Sequence, residues 1–135
     1  MDPISIIGLL ASLSTLIESG HKVYNLIETF KNSFREASDL AVTVTVFNEA
    51  LKGFDRVLRS RQTIHRISPT VIKHALENSK DTIQSIETRL IQLSAHNKAA
   101  VRKMIWVKQK SEFNKLLERL KEQISILQTF LELTH

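Results

Sequence analysis

The sequence has no cysteine and contains only three glycines and two prolines in 135 residues. Without cysteine there are no disulfides and no thiolate metal sites, which fits a reducing compartment. So few glycines and prolines disfavour a many-turned β architecture and leave no glycine-rich loop to hold a phosphate. The G-x-S-x-G, P-loop and H-E-x-x-H motifs are also missing. We therefore predict a protein that is not an enzyme, with no catalytic residue, metal ligand or cofactor.

Long hydrophobic runs are missing as well. No segment reaches the ~18 consecutive apolar residues of an unambiguous membrane span. Asp2 is acidic where a secretory signal would be basic, and no small-residue cleavage site follows, so no secretory signal is predicted. Hydrophobic residues make up 42% and charged residues 24% of the sequence, which is ordinary for a globular protein. The length suits one domain with its own core.

Four segments space their apolar residues alternately three and four positions apart, which predicts amphipathic helices. The first begins at Pro3 and is expected to reach about residue 33 or 34, continuous or kinked at Gly20. The third begins at Pro69, with Ser68 as its cap. Residues 42–46 alternate like a strand, but no hairpin turn or partner strand flanks them, so we interpret them as helix. The four predicted stripes are Ile6, Leu10, Leu13, Ile17, Gly20, Tyr24 and Ile27 (or, in a second register, Leu9, Leu13, Leu16, Gly20, Val23, Ile27, Phe30 and Phe34); Leu40, Val44, Phe47, Leu51, Phe54 and Leu58; Ile72, Leu76, Ser79, Ile83, Ile86, Leu90 and Leu93; and Phe113, Leu117, Leu120, Ile124, Leu127 and Leu131.

The predicted fold is all-α, an antiparallel bundle of four long helices plus a short basic helix at residues 98–108. The antiparallel order follows from the short connections between the segments. It would place the N-terminus, the basic residues 56–66 and the C-terminal end at one pole. The basic residues 98–110 would then lie at the opposite pole.

Charge is distributed unevenly along the chain. The net charge is +5, but residues 1–60 carry a net −1 and residues 61–135 a net +6. Two stretches contain only positive charge, and such patches attract lipid headgroups or nucleic acid. Specific nucleic-acid binding is not predicted. Trp106 is the only aromatic residue close to a basic stretch that could stack on a base, and no helix-turn-helix spacing exists. The candidates for contact with anionic lipid are Arg56, Arg59, Arg61, Arg66, Lys98, Arg102, Lys103, Lys108 and Lys110.

Histidine and glutamate stand three residues apart in several places, a spacing that di-iron bundles use. The pairs are Glu18 with His21, His74 with Glu77, and Glu132 with His135. One pair lies midway along a helix and another at the end of the chain, so these two should not face each other. We interpret all three pairs as solvated polar residues.

Residues 4–17 are the most apolar part of the chain and contain no charge. As a helix they would be about 21 Å long at ~1.5 Å per residue, whereas a span needs about 30 Å. They are either the buried central helix of the bundle or a segment meant for lipid, and composition and spacing favour burial. Gly8 and Ser12 are candidates for close packing between the N-terminal helices of several copies in a membrane oligomer. The candidates for membrane insertion are Ile4, Ile6, Ile7, Leu9, Leu10, Leu13, Leu16 and Ile17.

Three stretches of the sequence carry a family resemblance. They are residues 1–10 (MDPISIIGLL), residues 22–27 (KVYNLI) and residues 106–110 (WVKQK), the last followed by Phe113, Leu116, Leu117, Glu118, Arg119 and Leu120. Together they resemble the HeLo-like domain at the N-terminus of fungal STAND (NOD-like) proteins, in order and over nearly all 135 residues.

The resemblance implies a helical bundle that acts in fungal programmed cell death and heterokaryon incompatibility. It implies that residues 1–135 are the N-terminal effector domain of a longer protein, which includes or cooperates with an NTPase or amyloid-signalling module. Such domains oligomerise on activation, move from the cytoplasm to the plasma membrane and disrupt it through the N-terminal helix. The alternative is a helical interaction or adaptor module that recruits partners without inserting into lipid.

Overall fold

The described residues form four helices, as a computed structural model shows. The structure describes residues 3–30, 33–60 and 67–133, with side chains from residue 6 onward. The helices are α1 (Pro3–Thr29), α2 (Ala37–Arg59), α3 (Pro69–Ser94) and α4 (Ala99–Glu132), and no strand occurs within these ranges. The prediction of an all-α bundle of four long helices is confirmed. Residues 42–46 lie within α2, as the interpretation of their alternation as helix required.

The four helices surround one core. In the described part of the chain, α1 packs against α2 and α3, and α4 packs against the same two helices, so α1 and α4 lie diagonally opposite. Every residue of the predicted α2 and α3 stripes is buried. In α1 the second of the two predicted registers forms the core, from Leu9 to Phe34. Between α3 and α4, the buried Ser79 hydroxyl donates a hydrogen bond to Gln123 Oε1 at 3.3 Å.

The boundaries of α1 and α3 follow from local chemistry. Ser68 caps α3, because its hydroxyl accepts a hydrogen bond from the Thr70 amide at 3.2 Å with Pro69 in the first turn. The helix α1 is continuous through Gly20 but ends at Thr29, so the prediction that it reaches residue 33 or 34 was wrong. The Ser33 amide donates a hydrogen bond to the Phe30 carbonyl at 2.8 Å, and Phe34 stacks on Trp106 of α4.

The separate short basic helix at residues 98–108 is not found. Those residues from Ala99 onward are the first turns of α4, which runs unbroken to Glu132. No glycine or proline interrupts residues 99–132. Buried residues also recur at intervals of seven across the predicted break, which keeps one face of a single helix on the core. They are Trp106, Phe113, Leu120 and Leu127.

Candidate functional site

The N-terminal half of α1 divides its apolar residues between the core and solvent. Leu9, Leu13 and Leu16 are buried. Ile7, 67% exposed, is the most exposed large hydrophobic side chain in the part of the chain that the structure describes. Ile4 has no described side chain. Ile6, Leu10 and Ile17 are half-buried. The insertion candidates therefore do not form one exposed surface, because the three buried leucines pack α1 against the rest of the bundle.

The close-packing candidates of α1 do not pack against another helix. Gly8 and Ser12 are exposed, and a Cβ added at Gly8 would meet nothing within 4 Å. The glycine that does pack closely is Gly20. It is buried against Asn48 of α2, and a Cβ at Gly20 would clash with the Asn48 side-chain oxygen and lie 3.0 Å from its Cγ. Sequence reasoning placed Gly20 on the core stripe but could not identify its neighbour.

The basic stretch at residues 56–66 is only partly described. Arg56 is exposed. Arg59 forms an ion pair with Asp55, with Nε 2.9 Å from Oδ2. Arg61 and Arg66 lie outside the described residues. Of the two arginines in the described part of this stretch, Arg59 is thus already paired with a carboxylate.

The basic stretch at residues 98–110 contains two engaged cations and three exposed ones. Arg102 donates a hydrogen bond to the His96 carbonyl and lies over the Phe30 ring, 5.6 Å from its centroid. Lys110 Nζ lies 2.8 Å from Glu36 Oε1. The three cations without a partner among the described residues are Lys98, Lys103 and Lys108, and all three are exposed. No acidic residue occurs from residue 88 to residue 111, so this end of α4 is strongly positive.

Exposed apolar residues lie among these lysines. Met104 is 55% exposed and Val107 is 64% exposed. At ~100° per residue they share the outward face of α4 with Ser111. Lys103 lies on one side of that face and Lys108 on the other. We call this surface the α4 outer face; it consists of Lys103, Met104, Val107, Lys108 and Ser111. The sequence carried the signal, an apolar pair three residues apart on the side opposite Trp106, but the prediction considered only the charges.

An aromatic cluster lies directly beneath the basic stretch. The rings of Phe34 and Trp106 stack with centroids 4.0 Å apart and planes at 7°. Phe113 lies on Trp106 at 4.5 Å, and Phe30 lies next to Phe34 at 5.7 Å. The Trp106 indole Nε1 donates a hydrogen bond to Glu36 Oε2 at 3.0 Å. This aromatic cluster fixes the connection between α1 and α2 against the first turns of α4.

Glu36 is the acidic partner of this cluster. Its hydrogen bonds with Lys110, and also with its own backbone and Trp106, hold the pKa of the carboxyl below its ordinary value of 4.5, although partial burial opposes the shift. A carboxylate with a lowered folded pKa stabilises the fold above its unfolded pKa, and that contribution is lost as the pH falls through the folded pKa.

Replacing Glu36 with glutamine is expected to lower the free energy of unfolding near neutral pH, by less than about 1 kcal/mol because the ion pair is partly exposed. The difference from the unsubstituted protein should shrink as the pH falls below 4.5. Urea denaturation at about pH 7 and about pH 3 measures both effects. Glu118→Gln is the control, because Glu118 pairs only with the exposed Lys121 one turn away. A Glu36→Gln difference that stays constant with pH would contradict the role of the carboxylate charge.

The described residues contain neither a metal-binding cluster nor a membrane-spanning helix. Among the described residues no group of three or more histidine, aspartate or glutamate side chains could hold a metal ion. Glu18 and His21 are exposed. His74 and Glu77 are exposed and lie 3.9 Å apart, Nδ1 to Oε2. His135 lies outside the described residues. Over the same residues, none of the helices is both long enough and apolar enough to cross a membrane.

Comparison with protein-family models, with curated proteins and with solved structures found no match to this chain.

Proposed function

We propose that this chain is a cell-death effector domain of the HeLo-like type. In this proposal the bundle is cytoplasmic at rest, clusters on activation through an NTPase or amyloid-signalling module, and acts on the plasma membrane through α1. The observation that carries the proposal is the N-terminal half of α1. It has no charge over residues 4–17, it exposes Ile7 to solvent, and its attachment to the bundle includes the buried Leu9, Leu13 and Leu16.

The burial of those leucines explains why activation is needed. Full burial of a leucine side chain is worth about 1.5–3 kcal/mol, so releasing α1 exposes several such contributions at once. The closed bundle therefore predominates for an isolated chain. Clustering and contact with lipid would compensate, because the released apolar residues could then enter an apolar phase.

We infer the helix directions from contacts between the helices. Ser79 bonds Gln123 and Arg89 pairs with Glu112, so numbers rise in α3 as they fall in α4, which supports an antiparallel pair. Phe54 contacts Phe130 and Glu36 pairs with Lys110, so α2 and α4 run in the same direction. The bundle would then consist of two antiparallel hairpins, α1–α2 and α3–α4. The start of α1 and the start of α4 would lie at opposite poles.

Leakage of dye from phosphatidylserine-containing vesicles tests the proposal. Clustered by fusion to an oligomerising module, the wild-type chain is expected to release dye, and Ile7→Asp in the same fusion is expected to release much less, because a carboxylate in the inserted segment costs on the order of 3 kcal/mol. Ile7 is exposed in the bundle, so this variant should remain folded. Leu10 is half-buried and packs against the core, so Leu10→Asp would confuse loss of folding with loss of insertion.

Val42→Asp is the matched control. Val42 is 62% exposed and lies on α2, away from the proposed membrane segment. It should leak like the wild type, and circular dichroism should show the same helix content in all three proteins. A cell-viability assay on expression of the same variants should give the same order. Equal leakage by Ile7→Asp would overturn the role of α1, and a wild type that neither leaks nor kills would overturn the function.

The alternative function is a helical interaction module that recruits partners without inserting into lipid. One observation favours it, an apolar groove between α1 and α2. Most of its lining is apolar, including Tyr24, Ala41 and the exposed Val42 and Val46, and the polar residues of the lining are Glu28, Ser38 and Thr45. Association in solution that Val42→Asp abolishes, with no binding to anionic vesicles, would favour this alternative.

A further inference from the structure

We propose that the α4 outer face is the surface with which the closed bundle docks on an anionic lipid bilayer. This inference deepens the proposed function and rests on it, because it assumes that lipid is the target. It differs from insertion through α1, since the face lies on another helix and needs no opening of the bundle.

The side chains of the α4 outer face form an amphipathic pattern. Met104 and Val107 protrude from the middle of the face, and lysines border it on both sides. A helix that lies in the membrane interface has this arrangement, with apolar side chains entering the boundary of the acyl chains and lysines reaching the headgroups. A face with such a pattern is not needed for the bundle, whose core lies on the opposite side of α4.

The positive charge around the α4 outer face is largely unpaired. Lys98, Lys103 and Lys108 have no ion pair among the described residues, whereas Arg102 and Lys110 are engaged by His96 and Glu36. The nearest following acid, Glu112, interacts with Arg89 and Lys115. The unpaired positive charge therefore lies on and beside the apolar pair. Each lysine near an anionic membrane surface strengthens binding roughly fivefold, so the unpaired charge favours an anionic bilayer as the occupant.

The position of α1 in the bundle separates docking from insertion. In the described part of the chain α1 packs against α2 and α3 and lies diagonally opposite α4. A bundle docked through the α4 outer face would hold α1 on the side away from the bilayer. Docking and insertion would then be separate events. The closed bundle would bind vesicles, and leakage would require the later release of α1.

Vesicle co-sedimentation of the full chain tests the docking face. Binding to phosphatidylserine-containing vesicles is expected to weaken with rising salt. Lys103→Glu/Lys108→Glu should bind at least about tenfold more weakly, because two charges are reversed. Met104→Ser/Val107→Ser should bind several-fold more weakly, because the inserted apolar area is lost. All four residues are exposed, so these variants should keep the fold.

Two control pairs match the chemistry at other sites. Lys73→Glu/Lys80→Glu makes the same change in net charge on the exposed side of α3, and Val42→Ser/Val46→Ser removes two exposed valines from α2. Both controls should bind like the wild type. Controls that weaken binding as much as the α4 variants would overturn the proposal. Unchanged vesicle binding by Lys103→Glu/Lys108→Glu would also overturn the proposal. If that variant binds vesicles normally but loses self-association or binding to duplex DNA, the face serves a different partner and the proposal is wrong.

The two proposals fail in different ways. If wild type leaks and Ile7→Asp does not, while the α4 variants bind normally, the function stands and the docking face is wrong. If binding depends on the α4 outer face but no protein leaks or kills, the docking face stands and the proposed cell-death function is wrong.

Discussion

Gly20→Ala is expected to lower the free energy of unfolding by about 1–3 kcal/mol, the usual range for overpacking a filled core. In the helix interior alone the same change would stabilise, because alanine has the higher helix propensity. The neighbour reverses the sign. A Cβ at Gly20 would clash with the Asn48 side-chain oxygen, and Asn48 is only 5% exposed, so its amide has little room to move. Urea denaturation followed by circular dichroism measures the change.

Gly8→Ala is the matched control for that prediction. Gly8 lies in the same helix but is exposed, with nothing within 4 Å of an added Cβ. It should stabilise the protein by about 0.5–1 kcal/mol. The Gly20→Ala/Asn48→Ala double variant should recover part of the loss, because the clashing amide is absent. If Gly20→Ala is neutral, or if the double variant is as unstable as the sum of the two single ones, the packing contact is not the cause.

The stripes of α2 and α3 could be predicted from the sequence because each has a single apolar register. In α1 two registers were possible, and residues 4–17 contain no charge that would have separated them. The core took the register of Leu9, Leu13 and Leu16. Ile7 belongs to neither register and is exposed, although the sequence gives it the same apolar character as its buried neighbours.

The end of α1 and the start of α4 could not be predicted from local patterns. Phe34 fits the periodicity of α1, yet its position is set by stacking on Trp106, which is distant in sequence. The same contact brings Glu36 to the indole and to Lys110. Local spacing cannot reveal such pairings. The continuity of α4 could have been predicted, because Trp106 stands seven residues before Phe113 and extends the same apolar stripe. The predicted stripe starts at Phe113 and therefore misses it.

The small-residue row of α1 shows why a spacing motif needs a partner surface. Gly8 and Ser12 have the spacing that close helix packing uses, but both are exposed in the closed bundle. Gly20 has no such motif and makes the close contact, because Asn48 lies opposite it. Packing of Gly8 and Ser12 against another copy therefore stays a prediction for the activated state.

Trp106→Ala is expected to lower the free energy of unfolding by about 3–5 kcal/mol, the range for deleting a buried large aromatic side chain. Trp106 is buried between Phe34 and Phe113, so its loss leaves a cavity at the junction of α4 with the connection between α1 and α2. The Glu36 carboxylate also loses its indole donor. Urea denaturation followed by circular dichroism measures the loss, since the variant has no tryptophan left as a fluorescent probe.

Trp106→Phe separates stacking from hydrogen bonding and keeps the prediction testable if the alanine variant is too unstable. It retains a ring between Phe34 and Phe113 but cannot donate to Glu36, so it should cost less than Trp106→Ala. Phe130→Ala is the matched control, because Phe130 is equally buried but packs on Phe54 instead. Hydrogen exchange under native conditions should increase near residues 33–40 and 99–110 in Trp106→Ala and not in Phe130→Ala. Equal exchange at those residues in both variants would show that the aromatic cluster does not hold this junction.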